Sequence, residues 1–232
     1  MKNLLPGLSI AGLTLVLAAC TPHQPPTITP LTTLHGQIQG QDALTGGGAA
    51  SVLLRPLPVP GGSSAPLATA QVAADGTFTL SLPTAADVDV EPYLQPVPSF
   101  SNPSCSGQID VTPPTTRQTG FSTLFLSTDG TMQVPLGSIK RTSTQKSDGS
   151  TLSVDTVNLW VYVDVPARMA GTQTCEGSIT TQVDLTLQKG WNAMTSVDTS
   201  VVFPDGHVTR TSKLSRGTET TTVWTSDTIE AY

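Results

Sequence analysis

The sequence predicts an all-β fold. The 232 residues include 37 Thr and 22 Ser, whereas the strong helix formers Glu and Lys number only four and five. Threonine is stiff at χ1 and fits strands better than helices. Twenty Gly and 19 Pro residues supply frequent turns. Because hydrophobic residues make up 37% of the chain, we expect short strands that close around a packed core.

The charge composition excludes one class of function. Only 12% of the residues are Asp, Glu, Lys or Arg, and the formal net charge is −6. Nucleic-acid binding requires clustered Lys and Arg side chains that neutralise phosphates. We therefore expect no nucleic-acid partner.

The first 20 residues predict an export signal. Lys2 precedes an uncharged, mostly apolar stretch from Leu4 to Leu17, which is too short to span a bilayer as a helix. The following Leu17-Ala18-Ala19-Cys20 resembles the lipobox of bacterial lipoproteins. The resemblance implies that residues 1–19 are a signal peptide and that Cys20 is lipidated, so that the membrane is a partner.

Residues 20–33 form the predicted anchor and tether. Four prolines and several threonines after Cys20 favour an extended, semi-rigid segment that holds the folded part away from the bilayer. The residue after the cysteine is Thr21 rather than Asp. By analogy with lipoproteins, this favours the outer membrane over the inner membrane of a diderm envelope.

Residues 34–98 are predicted to form a small antiparallel β-sandwich. The clearest signal is Asp75-Gly76 between two strands, followed by alternating Phe78, Leu80 and Leu82. Strands are predicted at 34–40, 51–57, 67–73, 77–82 and 87–94.

This region resembles the carboxypeptidase regulatory-like and transthyretin-like domains. The matching pieces are Gly36-Gln37-Ile38-Gln39-Gly40, Val52-Leu53-Leu54 and Asp75-Gly76-Thr77-Phe78. The resemblance implies a structural or interaction module that has no catalytic residues.

Residues 99–119 are rich in Pro, Ser and Thr and are predicted to be a linker. Residues 120–232 are predicted to form a second antiparallel meander of about eight strands, either a barrel or a sandwich. Turn signals such as Asp148-Gly149 and Pro204-Asp205-Gly206 separate its strands. These strands are predicted at 121–126, 131–136, 138–146, 151–165, 178–189, 195–203, 207–214 and 218–226.

The strand at 151–165 carries the one candidate ligand surface. Its apolar side chains alternate with Asn158, Trp160 and Tyr162. One interpretation is that these three residues face a sugar or apolar ligand, because aromatic rings stack on such molecules and an amide can orient them. The other is that the aromatic rings pack between sheets.

The remaining two cysteines predict a disulfide. With Cys20 assigned to the lipid, Cys105 and Cys175 form an even pair in an exported chain. Free thiols are the alternative.

The sequence contains no recognisable catalytic or metal motif. His23, His35 and His207 lack zinc-site spacing, and no nucleophile elbow or phosphate-binding loop occurs. Ser143 and Lys146 match Ser-x-x-Lys, but they approach a turn rather than lie on a helix. We therefore expect no catalytic residues, no metal, no cofactor and no enzymatic activity.

Three functions remain open. The first is a non-enzymatic, membrane-anchored envelope lipoprotein with a structural or interaction role and an envelope protein as its partner. The second is a lipoprotein that binds a small apolar or sugar ligand inside a C-terminal barrel. The third is a hydrolase whose triad is assembled only by folding.

Overall fold

The structure is a computed structural model, and it describes residues 29–40, 48–55, 65–88, 94–97, 104–128, 133–176, 178–217 and 222–226. It confirms the all-β class: antiparallel sheets dominate, and the largest sheet curls into a half-barrel. The predicted signal peptide, Cys20 and most of the tether lie outside the described residues.

The first region contains four short strands. They are β1 (Thr33–Ile38), β2 (Ser51–Leu54), β3 (Ala68–Gln71) and β4 (Thr77–Ser81). The predicted Asp-Gly turn joins β3 to β4, and Asp75 Oδ1 accepts a hydrogen bond from the Thr77 backbone N–H at 3.0 Å. Phe78 and Leu80 alternate into the core, as the sequence predicts.

The strand predicted at 87–94 begins instead as a single helical turn, α1 (Ala85–Val88). Thr84 donates hydrogen bonds from its backbone N and its Oγ1 to Asp87 Oδ2, both at 2.8 Å. A side chain that binds the backbone at a helix start favours the turn over an extended strand. The short β5 (Gln95–Pro96) follows.

Eleven further strands are described after residue 104. They are β6 (Cys105–Thr112), β7 (Arg117–Phe121), β8 (Thr123–Ser127), β9 (Gln133–Gly137), β10 (Ile139–Gln145), β11 (Thr151–Val163), β12 (Ala167–Cys175), β13 (Ile179–Leu187), β14 (Gly190–Val202), β15 (Val208–Arg216) and β16 (Thr222–Trp224). The stretch 99–119, predicted as a linker, thus contains β6 and part of β7, because β6 hydrogen-bonds along the whole of its length to β12.

The strands form three sheets. Two are small, with the orders β16-β1-β4 and β3-β2-β8-β9. The third has the order β5-β7-β11-β14-β15-β13-β12-β6, with β10 beside the first half of β11. Two pairings depart from the predicted antiparallel arrangement: β1 with β16, and β13 with β15, are parallel. The second arises because β15 lies between β13 and β14.

Both small sheets combine strands from the two predicted regions. β2 pairs with β8, and β1 pairs with β16 at the other end of the described chain. Backbone pairing therefore crosses the boundary predicted between residues 98 and 120.

Two hydrophobic clusters lie on opposite faces of the large sheet. The first fills the space between this sheet and the small sheets, and includes Leu80, Leu124 and Trp224. The second joins Val97, beside β5, to Ile109 on β6, which are at opposite edges of the sheet. Because both edges contribute to it, this second cluster lies inside the curl, and we call that side the inner face.

Candidate functional site

The first described residues, from Thr29 onward, contact the start of β14. The Leu31 backbone N–H donates to the Trp191 carbonyl oxygen at 2.9 Å. Pro30 lies so close to Gly190 that a Cβ on this glycine would be 3.0 Å from Pro30 Cβ. The end of the predicted tether is therefore fixed at one end of the longest strand pair, β11 with β14.

Cys105 and Cys175 are brought together. They are register partners on β6 and β12, and their sulfur atoms lie 2.03 Å apart, at disulfide-bond distance. The predicted pair is thus placed where it joins an edge strand of the large sheet to its neighbour.

The three predicted ligand-facing residues are placed differently from one another. Trp160 and Tyr162 are buried, with 3% and 2% of their surface exposed. Asn158, two residues before Trp160 on the same face of β11, is only partly buried. Its Oδ1 accepts a 3.4 Å hydrogen bond from Thr195 Oγ1. The two rings therefore face a packed interior between the sheets.

Five rings form what we call the aromatic cluster: Phe121, Trp160, Tyr162, Trp191 and Trp224. Trp160 is stacked between Phe121 and Trp224, with centroid distances of 5.3 and 5.1 Å. Trp191 on β14 packs edge-on against Tyr162, its register partner on β11. The Trp191 Nε1 donates a hydrogen bond to the Pro83 carbonyl oxygen at 2.8 Å. The geometry is that of a cross-strand packing unit.

A row of charged side chains crosses the inner face further along β11 and β14. Asp155 and Asp198 are direct register partners, an arrangement that is unfavourable for like charges. Each is compensated by an arginine: Arg141 makes two hydrogen bonds to Asp155, at 2.8 and 3.0 Å, and Arg210 lies 3.5 Å from Asp198. The sequence does not reveal this row, because its register depends on which strands pair.

The far ends of the same strands carry exposed apolar side chains. Val202 and Val208 are register partners, and Phe203 stacks on His207 with a centroid distance of 5.7 Å. A signal for this feature is present in the sequence, since Val201-Val202-Phe203 runs directly into Pro204-Asp205-Gly206.

Several carboxylates have pKa values below their usual range for local reasons. Hydrogen bonds from the side chain and backbone of Ser150 lower the pKa of Asp148, and those from Thr77 lower the pKa of Asp75. Burial raises the pKa of Asp164. Hydrogen bonds from the Arg117 backbone N–H and Nε, together with the positive charge of Arg117, lower this pKa by more, so that the net shift is downward. All three carboxylates fix turns or strand ends.

A shallow open pocket of about 380 Å³ lies beside β1 and β4. His35, Gln71, Thr77 and Thr79 contribute its polar groups, and the His35 Nδ1 and Thr79 Oγ1 atoms are 3.0 Å apart. Such a pocket can hydrogen-bond a small polar molecule.

Within the described part of the chain, no group of three or more His, Cys, Asp or Glu side chains is arranged to hold a metal ion. Nor do the described residues include a helix long and apolar enough to cross a membrane. Comparison with protein-family models, with curated proteins and with solved structures finds no match to this chain.

Proposed function

We propose that this chain is a non-enzymatic, lipid-anchored protein of the cell envelope, whose folded part has a structural or interaction role. The observation that carries the proposal is Leu17-Ala18-Ala19-Cys20 after a short apolar segment, followed at once by a Pro/Thr-rich tether. Acyl chains on Cys20 each bury many CH₂ groups, at about 0.8 kcal/mol apiece, and several chains together hold a protein stably at a membrane.

The point at which the tether joins the fold is consistent with this role. Leu31 pairs with Trp191 at the start of β14, so the tether meets the folded part at one end of its longest strands. A load applied through the tether would act on a residue that is also held in the aromatic cluster. Such an attachment suits a domain held away from a bilayer.

The packing of the inner face favours a structural or interaction role over a carrier role. A carrier in the second region requires an apolar cavity inside the curled sheet. Instead, Val163, Leu185 and Met194 are buried together there. The other face of the large sheet is also packed, because Trp160 and Tyr162, the two candidate ligand-facing rings, lie in the aromatic cluster.

The anchor is tested by expressing the full chain with Cys20→Ala in a bacterial host and following fatty-acid labelling and membrane fractionation. We expect the variant to lose both the label and membrane retention, because the thiol is the acylation site. The matched control is Thr21→Ala, which keeps the thiol and should remain labelled and membrane-bound. Unchanged fractionation of Cys20→Ala would refute the anchor.

A further inference from the structure

Strand β6 closes the curl of the large sheet. β6 and β7 follow each other in the chain through residues 113–116, yet they lie six strand positions apart in the sheet. Six steps across a flat sheet would span about 29 Å, whereas the five Cα–Cα steps from Thr112 to Arg117 reach at most about 18 Å. The two edges of the sheet must therefore approach each other. In agreement, Ile109 and Val97 share the cluster inside the curl, which we call the inner cluster.

Few side chains hold β6 in this position. Among the described strands β6 pairs with β12 alone. Of its eight residues Ile109 is the one that is buried, and five are exposed. The hydrogen bond between Gln108 and Asp110 stays within β6 and adds no link to β12. An edge strand with so few buried contacts belongs to the part of a fold that opens most easily.

Two glycines weaken the pairing of β6 with β12. Gly107 on β6 has a φ of 78°, and Gly171 on β12 has a φ of 143°. A Cβ on Gly107 would collide with the Thr172 carbonyl oxygen, and a Cβ on Gly171 would collide with the Gln108 carbonyl oxygen. Both positions therefore require glycine, which has no side chain to pack and loses more backbone freedom on folding than other residues.

The two ends of β6 are held differently. The C-terminal end is fixed by the short link to β7, in which Thr116 is buried. At the other end Cys105 is joined through its sulfur atom to Cys175, its register partner. The Ser106 hydroxyl adds only a long hydrogen bond to the Thr174 carbonyl oxygen, at 3.4 Å. The disulfide is therefore the strongest described attachment of this end of β6.

We propose that Cys105–Cys175 is a redox-sensitive latch, whose reduction releases the Cys105 end of β6 and uncovers the inner cluster. Both cysteines are partly exposed, so a thiolate of an external dithiol can reach them. This thiolate attacks one sulfur atom and displaces the other as a thiolate, which takes up a proton. The second thiol of the dithiol then displaces the remaining cysteine, so that the dithiol leaves as a disulfide and the protein keeps two thiols. Withdrawal of Ile109 exposes Met169 and Val183, which share the inner cluster with it.

The test is hydrogen–deuterium exchange of the folded full chain, followed by mass spectrometry of its peptides, before and after addition of dithiothreitol. We expect the amides of residues 106–109 to exchange about tenfold faster or more after reduction, because they lose their partners on β12. The amides of β11 and β14 should stay protected over the same labelling time. Binding of the dye anilinonaphthalene sulfonate should increase, because apolar side chains of the inner cluster become accessible.

The matched control is Cys20→Ser, which removes the third cysteine and should respond to dithiothreitol as the parent chain does. Cys105→Ser with Cys175→Ser should show fast exchange in β6 with or without dithiothreitol. Unchanged exchange in β6 after complete reduction would overturn the proposal. Loss of protection in every strand would also overturn it, because the whole chain would then have unfolded. The latch concerns the folded part alone, so these outcomes leave the anchor at Cys20 to its own experiment.

Discussion

Trp160 illustrates how a strand face that alternates with apolar residues can itself be buried. Asn158, Trp160 and Tyr162 alternate with Leu159 and Val161, and this pattern alone predicts that the branched apolar residues face the core. In the structure both faces of this half of β11 are covered, because the small sheets pack on one face and the inner cluster on the other. Alternation identifies the two faces of a strand, but it does not reveal that both are buried.

Replacing Trp160 with alanine is expected to lower the free energy of unfolding by about 3–5 kcal/mol, because a buried ring stacked between Phe121 and Trp224 is lost. Urea denaturation followed by fluorescence measures this change. Val223→Ala, at a residue that is half exposed, should change the value by less than about 0.5 kcal/mol. Similar effects of the two substitutions would contradict the packing role of Trp160.

Asp164 makes stability depend on pH in the acid range. Its pKa in the folded protein is lowered by Arg117, so this carboxylate stabilises the fold above its unfolded-state pKa of about 4, and the contribution is lost as the pH falls through the folded-state value. We expect Asp164→Asn to be destabilised most near neutral pH and to converge with the parent chain in acid. Arg117→Met keeps the backbone N–H donor to Asp164 but loses the side-chain donor. Its free energy of unfolding near neutral pH should lie between those of the parent chain and Asp164→Asn. A constant difference across this range, measured by urea unfolding at each pH, would contradict the assignment.

At the scale of single elements, strands bounded by clear turns are predictable and strands defined by distant partners are not. The Asp75-Gly76 turn, β10, β11 and β13 lie close to their predicted positions. β6 and β12 were not predicted, because Gly107 and Gly171 interrupt their alternation and the register between them forms only on folding. β15 lies between β13 and β14, so the pairing expected for these two consecutive strands does not form; this register too is set only on folding.

The link between β6 and β12 is expected to stabilise the whole fold. Cys105 and Cys175 are 70 residues apart, so loop-closure entropy predicts that Cys105→Ser with Cys175→Ser lowers the free energy of unfolding by about 4 kcal/mol. The parent chain in a reductant should lose the same amount, which provides the control. Alkylation of both thiols in the native, unreduced protein would show that the bond is absent.

At the scale of the whole molecule, single sheets combine strands that are far apart in the sequence. Pairing of β1 with β16 joins residues near 36 to residues near 222, and β2 with β8 joins the two predicted regions. Turn chemistry and alternation act over a few residues, so neither indicates such contacts. The charge row and the exposed apolar residues at the far ends of β14 and β15 depend on the same long-range register. The cysteine pair, in contrast, was predicted from the number of cysteines together with the expected export of the chain.

The mass of the N-terminal peptide from the membrane-bound form tests whether Cys20 is the lipidated first residue of the mature protein, as proposed. We expect a peptide that begins at Cys20 and carries the added mass of several acyl chains. A peptide that retains residues before Cys20, or that contains an unmodified Cys20, would contradict lipidation at this residue.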